Sequence, residues 1–377
     1  MYLEDEARRV LLSIQQTHPR TRDEVRGVLL QRKRENLIRH WAKLRRVQGA
    51  AIRVIGRVEY DRIRPKMIYC APQDKPLWDY LRHCVSSAPW QDRPGRALRL
   101  FCVDEYSRGV LGIVDMGSDL QTLGPRDRHI GWTHGRKMKG GGLRHVANLG
   151  TCVCVTPFGW LTGGKCMSVM MAAREFGDVW HHRYGDRLGA VTTTSFYGKS
   201  SQYNRLKEYR YLGDTGGGGV AHLDDGSYRL LKAFVVGNSK GTKWGASGSL
   251  GGPGGGTLNR LNCLVHACKL LGLDFDNFRS GQPRGVYFAE RGYGVLPFLR
   301  GETDDFEERA DSWDDISEWW LDRWYSMRWP KKRDEIAEFD PSIYEVDRQI
   351  ELCGPGVQGD TSGDQSEGPG SSPGVRS

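Results

Sequence analysis

The sequence predicts a mixed α/β fold, in which helices flank a mixed sheet and further helices extend from both ends of this core. Two observations carry the prediction. Apolar strand candidates alternate with a helix candidate between residues 97 and 195, and strands joined through a helix form parallel or mixed sheets. Helical periodicity dominates residues 2–48 and 304–325. With 377 residues, the chain is long enough for two or three domains, or for one domain with extensions.

Residues 1–50 are expected to form a basic helical segment, broken where His18-Pro19 disfavours continuation of a helix. In its second helix, an apolar stripe and a basic stripe are offset by two positions, which is about 200° around the axis. The apolar stripe comprises Leu30, Leu37, Trp41 and Leu44, and the basic stripe comprises Arg32, Arg39, Lys43 and Arg46. One face therefore docks, and the opposite face is either a solvated surface or a contact for nucleic-acid phosphates.

Residues 51–300 are expected to form the core domain. Within it, residues 97–116 predict two strands joined by a turn at Ser107-Arg108-Gly109. The elements that follow are a mostly apolar strand (149–155), one helix from Gly163 to Tyr184, the strand GAVTTTSF, a short helix near 202–206 and a strand pair around 209–212 and 219–223. Residues 237–256 are too rich in glycine to form a core element, so we interpret them as an insertion.

The C-terminal part of the chain divides into an acidic, Trp-rich helical extension at 301–350 and a tail at 353–377. Residues 304–325 carry an apolar stripe at helical spacing, comprising Phe306, Ala310, Trp313, Ile316, Trp320 and Trp324. The indoles are expected to dock on the core, with an acidic mimic of DNA as the alternative. The tail contains almost nothing apolar to offset its ordering entropy, so we expect it to be disordered.

The charge balance favours a polyanionic partner. The net charge is +9, from 55 Lys and Arg against 46 Asp and Glu, which favours DNA as the partner over a merely basic enzyme. The first residues include early acids and no apolar run of signal or membrane-spanning length, so no membrane association is expected. Nine cysteines without regular spacing indicate free thiols and a cytoplasmic location.

Gly163, Gly164 and Lys165 form the first candidate site, at the start of a predicted helix. Backbone N–H groups at a helix start point outward and favour an anion, such as a cofactor pyrophosphate or a nucleic-acid phosphate. The alternative is that two glycines and a lysine serve packing and capping alone. We find no zinc motif, Walker loop or nucleophile elbow in the sequence, and we predict no metal site.

The second candidate site is the segment that follows the hydroxyl-rich strand. Its predicted catalytic residues are Ser201, Tyr203, Asn204 and Arg205, and its predicted nucleic-acid contacts are Tyr197, Lys199 and Gln202. Tyr203 could act as a general acid, Arg205 could bind phosphate, and Gln202 could recognise a base edge. The alternative is a capped turn with a satisfied polar network. So much hydrogen-bonding potential at the end of an interior strand is costly unless something uses it.

The segment LGAVTTTSFYGKSSQYNRLKEYRYLGDT, with HVANLGTCVCV before it and RGVYFAE after it, resembles the family of the A component of Druantia anti-phage systems. The resemblance covers roughly residues 95–300 and links the chain to phages, mobile elements and defence islands. The element order is also similar to an acetyltransferase (GNAT) core, whose pyrophosphate loop corresponds to 161–165. LTGGK stands here in place of the usual R/Q-x-x-G-x-G/A pattern. A more distant similarity is to the Mom DNA-modifying proteins of Mu-like phages.

The resemblance implies a DNA-acting protein of phage or mobile-element origin, working with partner proteins of a defence or modification system. Our leading hypothesis is a GNAT-like enzyme that transfers a small group to a DNA base from acyl-CoA or another phosphate-bearing donor, held by Gly163–Lys165. The alternatives are a non-catalytic DNA-binding component of an anti-phage system and a metal-dependent nuclease or transposase-like protein. Whether the chain is an enzyme is left open by its residues.

Overall fold

The computed structural model describes residues 2–17, 21–88, 95–133, 135, 137, 141–196, 198–215, 223, 225–238, 260–278, 283–308 and 311–354. The described chain divides into two compact units. The larger unit comprises Leu29–Ser195, Lys199–Gly213 and Val286–Ser377, and the smaller unit comprises Met1–Val28, Phe196–Gly198 and Asp214–Gly285. The predicted insertion at 237–256 and the predicted tail lie almost wholly outside the described residues.

Helices are distributed along the whole described chain, with three before the first strand and three after the last. The helices are α1 (Tyr2–Thr17), α2 (Arg22–Arg39), α3 (Trp41–Gly56), α4 (Lys75–Val85), α5 (Gly124–Ile130), α6 (Thr156–Trp160), α7 (Gly163–Met170), α8 (Arg174–Tyr184), α9 (Asp225–Asn238), α10 (Arg260–Leu270), α11 (Val295–Arg300), α12 (Trp313–Trp320), α13 (Ser326–Ala337) and α14 (Val346–Leu352). A π-helical turn, Leu321–Tyr325, joins α12 to α13. Short 3-10 turns are Tyr60–Arg62, Pro72–Asp74, Gly142–His145, Phe275–Phe278 and Pro341–Tyr344.

A mixed sheet of seven strands forms the centre of the fold, which confirms the predicted fold class. Its strands are β1 (Pro65–Tyr69), β2 (Ala97–Asp104), β3 (Val110–Ser118), β4 (Val146–Cys154), β5 (Ala190–Ser195), β6 (Arg210–Asp214) and β7 (Gly285–Glu290), in the order β1-β2-β3-β4-β5-β7-β6. The first four strands pair antiparallel, and β4 pairs parallel with β5. Two short strands, β8 (Gly292–Tyr293) and β9 (Glu307–Glu308), form a separate antiparallel pair.

Helices cover both faces of this sheet in the larger unit. Alternate residues of a strand point to opposite faces, and β2 illustrates the division. Leu98 and Leu100 belong to a cluster that includes Trp180 of α8 and Trp320 of α12. Phe101, from the other face of β2, belongs to a second cluster formed with α3 and α4. The sheet is therefore buried on both sides, as the apolar strand sequences predict.

The smaller unit has a helical core of its own. Helices α1, α9 and α10 contribute apolar side chains to a single cluster, together with the 3-10 turn Phe275–Phe278. Leu11, Phe234 and Leu264 are among its buried members.

The break predicted near His18-Pro19 is confirmed, since α1 ends at Thr17 and α2 begins at Arg22.

Four predicted elements were wrong. The second helix of the basic segment is divided at His40 into α2 and α3, and Trp41 of its predicted apolar stripe is exposed. The helix predicted at 304–325 begins only at Trp313, because Glu307–Glu308 form strand β9.

The single helix from Gly163 to Tyr184 is split into α7 and α8, because other residues bind the backbone at the break: Arg291 donates to the carbonyl of Ala173 at 2.7 Å. The short helix near 202–206 is a series of turns, which ends at Arg205 with a φ of +62°. A φ in the left-handed region is incompatible with continuation as a right-handed helix.

A buried group of four charged side chains, here called the ionic network, lies between β3 and the segment after α5. Its members are Asp119, Arg126, Asp127 and Lys137. The Arg126 guanidinium is 2.5 Å from both Asp119 and Asp127, and Lys137 is 2.8 Å from Asp127. Thr192 of β5 donates to Asp119 at 2.8 Å. At least one of the hydroxyls in the Thr-rich strand therefore satisfies a buried charge.

Candidate functional site

The two predicted site segments lie against each other in the larger unit. The Lys165 ammonium donates a hydrogen bond to the carbonyl of Asn204 at 2.7 Å and another to the carbonyl of Ser201. Residue 165 belongs to the first turn of α7, which follows β4 through the short helix α6. Residues 200–205 follow β5, the parallel neighbour of β4. The structure thus brings together Gly163–Lys165 and Ser200–Arg205 near the carboxyl ends of two adjacent parallel strands.

The turn at residues 200–205 is held by strand β7. The Tyr287 hydroxyl accepts a hydrogen bond from the backbone N–H of Ser200 at 2.7 Å and donates to the side-chain oxygen of Asn204 at 3.0 Å. Two further backbone bonds to the Ser200 carbonyl close the turn, from Tyr203 and Asn204. Asn204 therefore orders its own segment. Ser201 is exposed, and its carbonyl is the part of it that contacts Lys165.

Gln202 and the two glycines fit together through packing. The Gln202 amide donates to the Ser168 hydroxyl at 2.9 Å and to the Cys152 carbonyl at 3.2 Å. A Cβ atom on Gly164 would stand 3.3 Å from the side chain of Gln202, and one on Gly163 would stand 2.3 Å from the ring of Phe158. Close approach by neighbours is thus sufficient reason for both glycines. Their role in holding a cofactor stays a prediction, as does base reading by Gln202.

Tyr203 lies in the aromatic core. Only 7% of its surface is exposed, and its ring centroid is 5.2 Å from that of Tyr209 and 5.1 Å from that of Tyr287. Burial raises the pKa of its hydroxyl well above the ordinary value for tyrosine. The Tyr203 ring therefore anchors the turn at 200–205 by packing in the aromatic core. Its use as a general acid stays a prediction.

Three cations converge at the junction of the two segments, and we call Lys165, Arg205 and Arg328 the cation cluster. Burial lowers the pKa of Lys165 to about 8, with further lowering from the positive charges of Arg205 and Arg328. In the part of the chain that the structure describes, none of the three forms an ion pair. The Lys165 ammonium also lies 5.7 Å from the ring centre of Trp324. The cluster therefore holds positive charge that no carboxylate balances.

Arg328 was missed by the sequence reasoning because it lies far along the chain, on α13. That helix follows the Trp-rich α12, and its arginine donates to the carbonyl of Trp160 at 3.5 Å, which directs it towards the start of α7. The only signal in the sequence was the Trp-rich apolar stripe, which predicts that the extension docks on the core. Trp320 is fully buried, as expected for a docked helix.

The predicted basic stripe is divided between two helices, with two of its residues on α2 and two on α3, and three of the four are exposed. Arg39, Lys43 and Arg46 are exposed, whereas Arg32 is half-buried. Lys43 is 3.7 Å from Asp79, and Arg39 and Arg46 form no ion pair with any described residue. Helix α3 itself contains no acidic residue, and its exposed Arg53 extends the positive surface.

The remaining predicted nucleic-acid contacts are Tyr197 and Lys199. Tyr197 lies outside the described residues. Lys199 is exposed, and its ammonium lies 5.2 Å from the ring centre of Tyr211. Across the described ranges, no three His, Cys, Asp or Glu side chains are grouped as metal ligands would be. We also find no helix, within those same ranges, with the length and apolar character needed to cross a lipid bilayer.

A family model and a known protein each match a large part of the chain. The family model described as Druantia protein DruA matches residues 19–301. The Druantia protein DruA of Escherichia coli (strain UMEA 4076-1) is 30% identical over 239 residues, covering 58% of this chain and 57% of that protein. The match thus spans little more than half the length of that relative. No solved structure matches the chain.

Proposed function

The chain belongs to the DruA family, and on that premise we propose that it is a DNA-binding, non-catalytic component of an anti-phage defence system. The observation that carries this proposal is the cation cluster, because its three positive charges converge without a carboxylate partner among the residues that the structure describes. Partner proteins are part of the same proposal, since a binding component needs others to act on what it holds.

Electrostatics supports a phosphate as the ligand of the cluster. Holding the Lys165 ammonium half-buried beside two guanidinium groups costs free energy, and the same burial and repulsion lower the pKa of this lysine. An anion placed among the three cations adds an attractive interaction with each of them, which offsets their mutual repulsion. DNA phosphates are the polyanion that the net charge of +9 favours.

The exposed face of α3 is the second contact in this proposal. Arg46 and Arg53 are seven residues apart on one helix, so they lie on nearly the same line with an axial separation of about 10.5 Å. No acid on this helix offsets them. Acids of other elements pair with Lys43 and Arg45, whereas Arg46 and Arg53 form no ion pair with a described residue. Such cations bind a phosphate backbone without reading its sequence, so we expect binding to depend strongly on salt and little on base sequence.

The test is the salt dependence of DNA binding by single-cation variants. Arg205→Gln is the sharpest change, because this exposed arginine makes no hydrogen bond or ion pair with a described residue. Loss of one phosphate contact should lower the slope of log affinity against log salt by about 1. Arg328→Gln and Arg46→Gln should act in the same direction, each measured by fluorescence anisotropy with duplex DNA.

Arg62→Gln is the matched control, since Arg62 is similarly exposed but is paired with Glu59 at 2.9 Å. Its salt slope should equal that of the unmodified protein. Equal slopes for Arg205→Gln, Arg328→Gln and the control would overturn the assignment of the cation cluster as a DNA contact.

Group transfer to a DNA base is the second candidate function, and the juxtaposition of Gly163–Lys165 with Ser200–Arg205 favours it. In this version the GNAT-like arrangement would place a donor beside Lys165 and a flipped base beside Asn204. Nucleoside mass spectrometry on DNA from cells expressing the chain tests it, with Tyr203→Phe as the comparison. A new nucleoside that disappears in this variant would establish the transferase and displace the binding-only proposal.

A further inference from the structure

The hairpin of β2 and β3 ends in a tip, residues 104–109, that carries an exposed aromatic ring. Tyr106 is 54% exposed, and the Arg62 guanidinium lies 5.7 Å from its ring centre. Arg108 is also exposed and forms no ion pair with a described residue. An exposed ring beside positive charge is the combination with which proteins bind the bases and phosphates of single-stranded nucleic acids.

A buried carboxylate orders the hairpin tip. Asp104 is fully buried, and its side chain accepts hydrogen bonds from the backbone N–H of Ser107 at 2.8 Å, from the Ser107 hydroxyl at 2.6 Å and from the backbone N–H of Arg64 at 2.8 Å. Backbone hydrogen bonds from residue 108 to residue 104 and from residue 104 to residue 109 close the loop. Tyr106 is thus presented on a preformed turn, so a ligand that contacts its ring need not order the loop.

Arg108 has a backbone conformation that favours glycine. Its φ of +59° lies in the left-handed region, where a Cβ atom is unfavourable. Glycine at this position would relieve the strain and would suit the same turn. Arginine instead places a cation at the tip despite the strain, and strained residues of this kind cluster at ligand-binding sites.

The hairpin tip packs against the C-terminal end of α3. A Cβ atom on Gly109 would stand 2.5 Å from the Val58 side chain and 3.1 Å from the carbonyl oxygen of Val54. Arg53 and Arg57 directly precede these two valines, and both arginines are exposed without an ion pair to any described residue. The hairpin tip and the basic face of α3 are therefore neighbouring parts of one surface.

The glutamates beside the tip are paired with other cations. Glu105 lies 2.8 Å from the Lys66 ammonium and 3.3 Å from the Arg64 guanidinium. Glu59 lies 2.9 Å from Arg62. Neither glutamate forms an ion pair with the arginines at positions 53, 57 and 108. These three cations remain available to phosphates.

We propose that the hairpin tip binds an unpaired base of a DNA strand whose phosphates lie on the basic face of α3, with Tyr106 stacking on the base and Arg108 contacting a phosphate. This inference rests on the proposed DNA binding and names the form of DNA that the protein prefers. A base inside a duplex must be unstacked before a protruding ring can contact its face, whereas a single strand presents its bases freely.

Fluorescence anisotropy of the full chain, with a single strand of about 15 nucleotides and with the matching duplex, tests the proposal. The single strand should bind more tightly. Tyr106→Ala should weaken single-strand binding about tenfold, since a base loses its stacking partner, and should change duplex binding by no more than about twofold. Tyr106→Phe should retain the single-strand affinity, because the ring and not the hydroxyl makes the stack.

Arg108→Gly separates binding from folding. Loss of one phosphate contact should lower the slope of log affinity against log salt by about 0.7 for a single strand. The free energy of unfolding should stay the same or rise, because glycine adopts the left-handed conformation without strain. Weaker binding by an equally stable variant would exclude a purely structural role for this arginine.

Tyr293→Ala is the matched control, since Tyr293 is 78% exposed and pairs across strands with Glu307. It should bind both forms of DNA like the unmodified protein. The proposal is overturned if Tyr106→Ala keeps its single-strand affinity, if it loses single-strand and duplex affinity equally, or if Arg108→Gly leaves affinity and slope unchanged. Duplex binding that depends on Arg205 would survive each of these results, whereas binding to neither form would overturn the proposed DNA binding itself.

Discussion

The ionic network and the cation cluster are two groups of charged side chains with opposite charge balances. In the network, two cations meet two carboxylates at 2.5–2.8 Å, and the Arg126 side chain is fully buried. In the cluster, three cations lie together and none has a carboxylate partner among the described residues. A fold that buries charge for its own stability pairs each charge with its opposite. Unpaired charge of one sign therefore points to a ligand.

The largest effect should come from breaking the network. Arg126→Leu leaves Asp119 and Asp127 buried without their shared cation, which should cost about 3–5 kcal/mol of unfolding free energy. Urea denaturation measures it. Arg62→Gln, which removes a 65% exposed partner of Glu59, should cost no more than about 1 kcal/mol. Equal losses for the two variants would show that the ionic network stabilises the fold no more than an exposed ion pair does.

The next effect concerns the packing beneath the cluster. Gly163→Ala places a Cβ atom 2.3 Å from the Phe158 ring, which should cost about 1–3 kcal/mol. Gly164→Ala should cost less, because the Gln202 side chain 3.3 Å away can shift. Denaturation curves would measure both. The DNA affinity of the folded fraction should be unchanged, and a specific loss of affinity in Gly163→Ala would instead support a phosphate cradle.

The titration of Lys165 should make the cluster sensitive to pH. Its pKa is about 8 in the folded chain against 10.5 in the unfolded chain. The unfolded chain therefore holds this proton more tightly. Below pH 8 this lysine lowers the free energy of unfolding, and the destabilisation disappears as the pH rises towards 10.5. DNA affinity should fall as the pH passes through about 8, where the ammonium is lost. Anisotropy titrations on either side of this pKa should show a smaller fall for Lys165→Gln.

The smallest effect on stability should come from the cluster itself. Arg205→Gln removes an exposed cation without a partner, so the unfolding free energy should change by no more than about 0.5 kcal/mol. DNA binding should weaken in the same variant. A loss of stability comparable with that of Arg126→Leu would mean that the cluster serves the fold after all.

Local signals in the sequence predicted the elements whose causes are local. The hairpin of β2 and β3 was predicted from its turn, where Arg108 has a φ of +59°, and the parallel pairing of β4 with β5 follows from the helices between them. Distant residues cause what was missed. Arg291 donates a hydrogen bond to the backbone carbonyl of Ala173 between α7 and α8, and the Tyr287 hydroxyl binds the turns at 200–205. Arg328 reaches the site only because its helix docks on the core.

The position of β7 in the sheet has a consequence for the newly made chain. This strand is the last of the seven to be synthesised, yet it lies between β5 and β6, and its Tyr287 anchors the turn that bears Arg205. A nascent chain that has been synthesised only as far as β6 lacks the Tyr287 hydrogen bonds that hold that turn. If the cation cluster binds an anion as proposed, the turn that carries Arg205 is ordered for that role only after β7 has been synthesised, and fragments that end before β7 should not bind the anion.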